Sequence, residues 1–325
     1  MKAIVYHSYG SPDVLRGEEI EKPVPADNEV LIKVRAASLN PLDWHFVRGT
    51  PHIMRITAGL LRPKVSRLGV DVAGEVEAVG KNVVHFQPGD EVFGTCRGAL
   101  AEYACAAEPA LVTKPGNVTF EQAASVPVAG LSALQALRDK GGVQPGQRVL
   151  INGASGGVGT FAVQIAKWLG ADVTAVCSTR NLDLVRSLGA AQVIDYTCED
   201  FTEDTQPYDV LLDNVGNRSL SECRRVLNAK GRYVLVGGGG PDDQGWLGPG
   251  LTRAITAPVL SIFVSQKMAF FLANLNNKDL TLLRDLVQAG KVTPVIDKQY
   301  SFADTPEAIR YVEAGHARGK VVITA

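Results

Sequence analysis

The 325-residue chain is longer than a single hydrophobic core usually supports, so two domains are expected. With 46% hydrophobic and 21% charged residues, a disordered or fibrous chain is excluded, and 33 Lys and Arg against 34 Asp and Glu leave no basic excess for a nucleic-acid surface. The longest apolar stretch, 254–264, is interrupted by Thr256, Pro258 and Ser261 and falls short of the roughly 20 residues of a membrane span; it reads as a buried strand.

The opening residues Met1 to Tyr6 run straight into a polar turn and lack the parts of a signal peptide. Five cysteines without a CxxC pair fit reduced thiols, and the chain is expected to be cytoplasmic. Up to about residue 120, short β-type runs at 2–6, 29–37, 74–79, 90–93, 101–105 and 111–114 alternate with Gly- and Pro-rich turns. Thr119 and Gln122 then have capping-box spacing, and the Ala- and Leu-rich stretch to Leu137 reads as a helix.

Strand and helix alternate from there. Strands are expected at 149–152, 172–176, 193–194, 210–213 and 233–236, with helices at 157–169, 182–188 and 220–227, the βαβα order of a doubly wound parallel sheet. After Gly290 an extended run at 295–300, a helix opened by Thr305-Pro306-Glu307 and a strand at 320–323 return to the pattern of the first half. The expected division is 1–122, 123–267 and 268–325, the last stretch completing the first domain.

The strand 149–152 leads into Asn152-Gly153-Ala154-Ser155-Gly156-Gly157-Val158-Gly159, with Ala154, Gly156 and Gly159 in G/A-x-G-x-x-G register. The second position lets the backbone approach a pyrophosphate, the third lets helix and strand pack closely, and the helix start offers unpaired N–H groups to the anion. The following strand ends at Cys177-Ser178-Thr179-Arg180-Asn181, without the acid that would bind an NAD ribose. Hydroxyls, an amide and a guanidinium stand there instead, which suits a 2′-phosphate and hence NADPH. The alternative is that Arg180 is a solvated residue opening the next helix.

Six segments carry a wider resemblance: Ala36-Ala37-Ser38-Leu39-Asn40-Pro41-Leu42-Asp43, Gly69-Val70-Asp71-Val72-Ala73-Gly74, Gly89-Asp90-Glu91-Val92, Ala129-Gly130-Leu131-Ser132-Ala133, the glycine loop, and Arg318-Gly319-Lys320-Val321-Val322. In this order they resemble the medium-chain dehydrogenase/reductase superfamily over essentially the whole chain. The resemblance implies an α/β protein with a GroES-like β-rich catalytic domain, formed by both chain ends, plus a Rossmann doubly wound parallel-sheet cofactor domain.

The zinc alcohol dehydrogenases of that superfamily carry Gly-His-Glu where this chain has Gly69-Val70-Asp71. Asn40 falls in the region of their first Cys ligand, Val128 or a close neighbour in that of a later one, and the four-cysteine lobe is missing after Gly94. Zinc needs about three protein ligands, so no catalytic metal is expected. Within the superfamily the chain resembles the zinc-free quinone oxidoreductase branch, including plant chloroplast-envelope homologues and reticulon-interacting mitochondrial relatives. That resemblance implies NADPH, a quinone or enone as small-molecule substrate, and a homodimer built through 256–264 as the last Rossmann strand.

It also implies site residues. Ser132, Ala154, Ser155, Gly156, Gly157, Val158 and Gly159 would bind the cofactor, the last four facing its pyrophosphate. Ser178, Arg180 and Tyr196 would face the 2′-phosphate, Val215 and Gly216 would pass near the adenosine, and Gly237 would lie near the nicotinamide with Asn40 and Lys320. Asn40 and His45 are the candidate catalytic residues; for His45 the alternative is a packing histidine, with water protonating the product. Without a metal an alkoxide has little stabilisation, whereas hydride added to an enone or quinone spreads charge onto an oxygen that hydrogen bonds can hold. An enoyl-thioester reductase and a weakly active NADPH-binding scaffold or redox sensor are the alternatives.

Overall fold

The computed structural model describes residues 1–237 and 248–324. Among them fifteen strands follow the chain: β1 Lys2–Val5, β2 Arg16–Glu19, β3 Glu29–Leu39, β4 Asp71–Val79, β5 Glu91–Thr95, β6 Tyr103–Ala107, β7 Leu111–Thr113, β8 Arg148–Asn152, β9 Asp172–Cys177, β10 Gln192–Asp195, β11 Tyr208–Asp213, β12 Leu227–Leu235, β13 Lys267–Phe270, β14 Ile296–Ser301 and β15 Lys320–Thr324. They divide between two compact units, one made of Met1–Leu131 with the described residues from Leu275 onward, the other of the described residues from Ser132 to Asn274.

In the first unit the sheet runs β14-β15-β3-β4-β5-β7, with β6 also on β3. The C-terminal β15 lies antiparallel to β3, pairing Val321 with Leu39 and Ile323 with Ala37, so the two chain ends share one hydrophobic interior that includes Ile32, Val72, Val92, Val321 and Ile323. This is the GroES-like β-rich domain, and the second unit is the Rossmann domain.

The second unit's sheet runs β10-β9-β8-β11-β12-β13, parallel throughout. Such a sheet is covered on both faces, which is why Val149, Leu150 and Ile151 are consecutive and all buried. The strand order reverses between β8 and β11, the switch point outside whose carboxyl ends ligands bind in open α/β sheets.

Three sequence expectations change. The run 254–264 is not a strand: it belongs to the helix Gly248–Phe263, and the last strand of the sheet is β13, which pairs with β12. Ala257 and Leu260 of that helix pack inward while Ile255, Val259, Ile262 and Phe263 are exposed. With apolar residues on both faces the stretch shows no helical period, and a short apolar run cannot be assigned by pattern alone. The helix expected from Thr119 to Leu137 breaks at Pro127 into Phe120–Ala124 and Pro127–Gln135, followed by a wider turn over Ala136–Lys140. Its capping box is present, Thr119 accepting from Gln122 N at 3.3 Å and donating its own N–H to Gln122 at 3.0 Å. The helix Asn277–Gln288 went unread, although Leu280, Leu283, Leu286 and Val287 recur at helical spacing and all are buried.

At the end of β8 the glycines have different jobs. A Cβ on Gly159 would lie 2.1 Å from the carbonyl oxygen of Gly153 and 2.6 Å from the carbonyl carbon of Ala154, both backbone, whereas a Cβ on Gly156 would meet nothing nearer than 3.5 Å. Gly159→Ala is therefore expected to destabilise the protein by about 1–3 kcal/mol, while Gly156→Ser, which puts a favoured capping residue at the helix start in place of glycine, stays within about 0.5 kcal/mol of the parent. Denaturant unfolding of the two variants checks this.

Candidate active site

In the Rossmann domain the loop between β8 and the helix Gly157–Trp168 is folded against the end of β11. Gly153 has φ 75°, and a Cβ there would strike Val215 Cγ2 at 2.7 Å. The wholly buried Asp213 organises the facing loop. Its Oδ1 accepts from Asn152 Nδ2 at 2.9 Å, from Val215 N at 3.1 Å and from Gly216 N at 2.8 Å, and its Oδ2 from the Tyr233 hydroxyl at 2.8 Å. Ala154, Ser155, Gly156, Gly157, Val158, Gly159, Val215 and Gly216 are thus brought to the switch point. Gly237 follows β12, where a Cβ would lie 2.5 Å from the Asn214 carbonyl oxygen; the glycines after it lie outside the described residues. Ser132 is buried on the helix Pro127–Gln135.

Ser178, Arg180 and Tyr196 collect at the carboxyl ends of the neighbouring strands β9 and β10, where Tyr196 N donates to Cys177 O at 3.1 Å. Arg180 and Tyr196 are exposed, Ser178 half-buried. Two residues beyond the expected site set shape this corner. Asn181 Nδ2 donates to Ser155 Oγ at 2.9 Å and to Ser178 Oγ at 3.1 Å, tying the glycine loop to the end of β9. Asp195 accepts from Thr179 Oγ1 at 2.5 Å and from Thr197 N and Oγ1 at 3.0 and 2.7 Å, and these bonds hold its carboxyl below the usual range. The signal for Asn181 was its place directly after the expected phosphate-binding residues; for Asp195 it was the local Asp-x-Thr spacing to Thr197, whereas Thr179 is brought to it by the pairing of β9 with β10.

The GroES-like domain holds a second polar site, entirely its own. Lys320, on β15, donates from Nζ to Asn40 Oδ1 at 2.7 Å and to Asp71 Oδ2 at 3.3 Å. Asn40 Nδ2 donates to Asp71 Oδ2 at 2.9 Å, Ser38 Oγ to the same oxygen at 2.8 Å, and Val128 N to Asp71 Oδ1 at 3.0 Å. All four side chains are buried. Next to them Asp43 accepts from Asn40 N at 2.7 Å, at the start of the helix Pro41–Arg48, and from Gly69 N at 3.3 Å. Burial pushes its carboxyl up to about 6; the Asn40 N–H and Lys320 work against the shift, and the charge of Asp71 adds to it.

Asn40 and Lys320 are therefore in direct contact, and His45 stands apart. Its half-buried ring stacks on Trp44 with centroids 3.6 Å apart, and its Nδ1 lies 2.7 Å from the Thr50 carbonyl oxygen. That carbonyl can only accept, so Nδ1 carries the proton, and in the neutral ring Nε2 is an acceptor.

Residues 26–127 match the family model for the alcohol dehydrogenase GroES-like domain, and residues 188–323 that for zinc-binding dehydrogenases. A mitochondrial NAD(P)H oxidoreductase of Bos taurus, RTN4IP1, is 38% identical over 99% of this chain and 89% of its own. The 2-methylene-furan-3-one reductase of Solanum lycopersicum is 36% identical over 99% and 79%. The quinone oxidoreductase structure from Coxiella burnetii covers 100% of this chain and 99% of its own, at 32% identity and a TM-score of 0.88.

The chain belongs to the medium-chain dehydrogenase/reductase superfamily.

Its place there is the zinc-free quinone-oxidoreductase and enone-reductase branch, and the chloroplast quinone oxidoreductases are among its relatives. The residues do not fit the zinc of the superfamily's metal enzymes. Val70 supplies no ligand, the Lys320 ammonium already occupies the carboxylate and amide oxygens of Asp71 and Asn40, and among the described residues no group of three or more His, Cys, Asp or Glu is gathered as a metal site. The cytoplasmic expectation is corrected, because the mammalian relatives are mitochondrial proteins. The five thiols are free, but reduced thiols mark any reducing compartment, so cysteine usage could not separate cytoplasm from organelle.

Because the folded protein binds the Asp43 proton more tightly than the unfolded chain does, this group's contribution to stability is full below its unfolded value of about 4 and is lost as pH rises through about 6. The shift from 3.8 to about 6 corresponds to on the order of 3 kcal/mol. Asp43→Asn removes it, so the stability difference between parent and variant should move by about that amount, in the variant's favour, between about pH 3 and pH 7. Urea unfolding across that range measures it; parallel curves would exclude a raised Asp43.

Proposed function

We propose that this protein is an NADPH-dependent, zinc-independent oxidoreductase that reduces a quinone or the C=C bond of an α,β-unsaturated carbonyl compound. The observation that carries the reading is the pairing of an open glycine loop at the switch point with Ser178, Arg180 and Tyr196 at the adjoining strand ends. The Asp195 carboxylate beside them is committed to Thr179 and Thr197.

Gly156, Gly157, Val158 and Gly159 hold the pyrophosphate, with Ala154 and Ser155 beside them in the cofactor site, where the helix start offers N–H groups and a Cβ on Gly156 would meet nothing nearer than 3.5 Å. Ser178, Arg180 and Tyr196 take the 2′-phosphate, Val215 and Gly216 flank the adenosine, and Ser132, Gly237 and Lys320 complete the cofactor set. NADPH supplies the hydride. Asn40, whose amide nitrogen makes one of its two possible hydrogen bonds, to Asp71, stabilises the charge that develops on the acceptor oxygen. His45 donates a proton only when its ring carries two, and water serves otherwise. Apolar Ile53, Met54 and exposed Ile56, on the segment after the helix Pro41–Arg48, favour an apolar acceptor.

The homodimer belongs to this reading, now resting on β13 as the outer strand of its sheet and on the exposed Ile255, Val259, Ile262 and Phe263 beside it. A dimer in sedimentation that dissociates in Phe263→Glu is expected; a monomeric parent would remove the dimer.

A hydrogen bond to a charged group is worth roughly 1.5–3 kcal/mol, about a ten- to hundredfold in affinity. Arg180→Ala should weaken NADPH by that factor and NADH little, and Gly156→Ser should weaken both. Equal losses of the two cofactors in Arg180→Ala would show that Arg180 does not read the phosphate. For the reaction itself, 4-deuterated NADPH should place the label on the β-carbon of an enone product. NADP-dependent oxidation of simple alcohols without turnover of enones or quinones would overturn the assignment.

A further inference from the structure

Asp71 has no part in the reading above, yet it is the group on which the polar site of the GroES-like domain converges. Its carboxylate, wholly buried, accepts from Ser38, Asn40, Lys320 and the backbone of Val128. Filling an interior does not call for such a group, because replacing a buried ion pair by apolar residues of similar volume is often neutral or stabilising. What the pair does achieve is orientation. Lysine only donates and a carboxylate only accepts, so the Asn40 amide has one permitted setting, Oδ1 on Lys320 and Nδ2 on Asp71. With Asp71 neutral half of that constraint disappears: an amide at position 71 could accept or donate, so only Lys320 would orient the Asn40 amide, and Lys320 itself would be left without a counter-charge.

We propose that Asp71 is a positioning residue for the reduction, holding Lys320 and the Asn40 amide in the single orientation from which Asn40 presents its remaining N–H to the oxygen where negative charge develops. This rests on the reading that Asn40 acts in the reaction. Ser38, which shares Oδ2 of Asp71 with Asn40 and Lys320, fixes the carboxylate in turn.

The test compares Asn40→Ala, Asp71→Asn, their combination, and Asp71→Asn with Lys320→Met, which buries no unpaired charge and so keeps the fold. Each is assayed with saturating NADPH and an enone, with kcat expressed per cofactor-binding site counted by NADPH titration. Misplacement of a reacting group by a distant change costs on the order of 100-fold, so kcat in Asp71→Asn should fall by about that factor with little change in the enone KM. Adding Asn40→Ala should deepen the loss little, and the Asp71→Asn, Lys320→Met pair should remain slow. A purely structural Asp71 would lower the melting temperature and the number of binding sites but leave kcat per site unchanged. That result, strictly additive losses, or full activity in the charge-free pair overturns the proposal. If Asn40→Ala alone turns over at the parental rate, the failure lies with the role of Asn40, and Asp71 has nothing to position.

Discussion

A carboxylate taken out of water costs several kcal/mol unless donors replace the solvent it loses, and Asp71 finds those donors on elements far apart in the sequence. Ser38 lies on β3, Asn40 directly after it, Lys320 on β15 and Val128 at the start of the helix Pro127–Gln135. Satisfying one buried charge therefore draws β3 and the last strand of the GroES-like domain together at the same point where β15 pairs with β3. The neighbouring Asp43, deprived of a cation of its own, holds its charge only weakly.

The Rossmann domain solves a similar problem with Asp213. Here the donors are two backbone N–H groups of the loop that follows, the amide of Asn152 and the Tyr233 hydroxyl. The consequence is geometric. The loop after β11 is pinned beside the loop after β8, so closely that Gly153 cannot carry a side chain without striking Val215. The glycine loop thus owes its shape to contacts across the switch point and to the approach of the first helical turn at Gly159, while at Gly156 a side chain would meet nothing nearer than 3.5 Å. One site is built for charge in a dry interior, the other for an anion at the edge of a sheet, and the reduction proposed above needs both kinds of chemistry.

The lack of a metal-ligand set among the described residues follows from the same arrangement. At the positions corresponding to zinc ligands in related enzymes the chain places Val70 and Asn40, and the oxygens of Asn40 and Asp71 already serve Lys320. A fixed monovalent cation held by an amide and a carboxylate is a poor host for a second, divalent one.

Much of this was legible in the residues alone. The parallel βαβ order, the register of Ala154, Gly156 and Gly159, and the capping box at Thr119 are local patterns whose physics acts over a few residues, so sequence suffices to read them. The six spaced segments placed the chain in its superfamily. Pattern failed where local signals were silent or shared: Ile255, Val259 and Ile262 lie opposite Ala257 and Leu260 on a helix apolar on both faces, which looks the same as a buried strand. Reduced cysteines likewise did not distinguish one reducing compartment from another. The contacts of Lys320 with Asn40, 280 residues away, and of Asp71 with Val128 were decided only by tertiary structure, because a buried charge takes its partners from whatever strands the fold brings beside it, and no spacing along the chain encodes that choice.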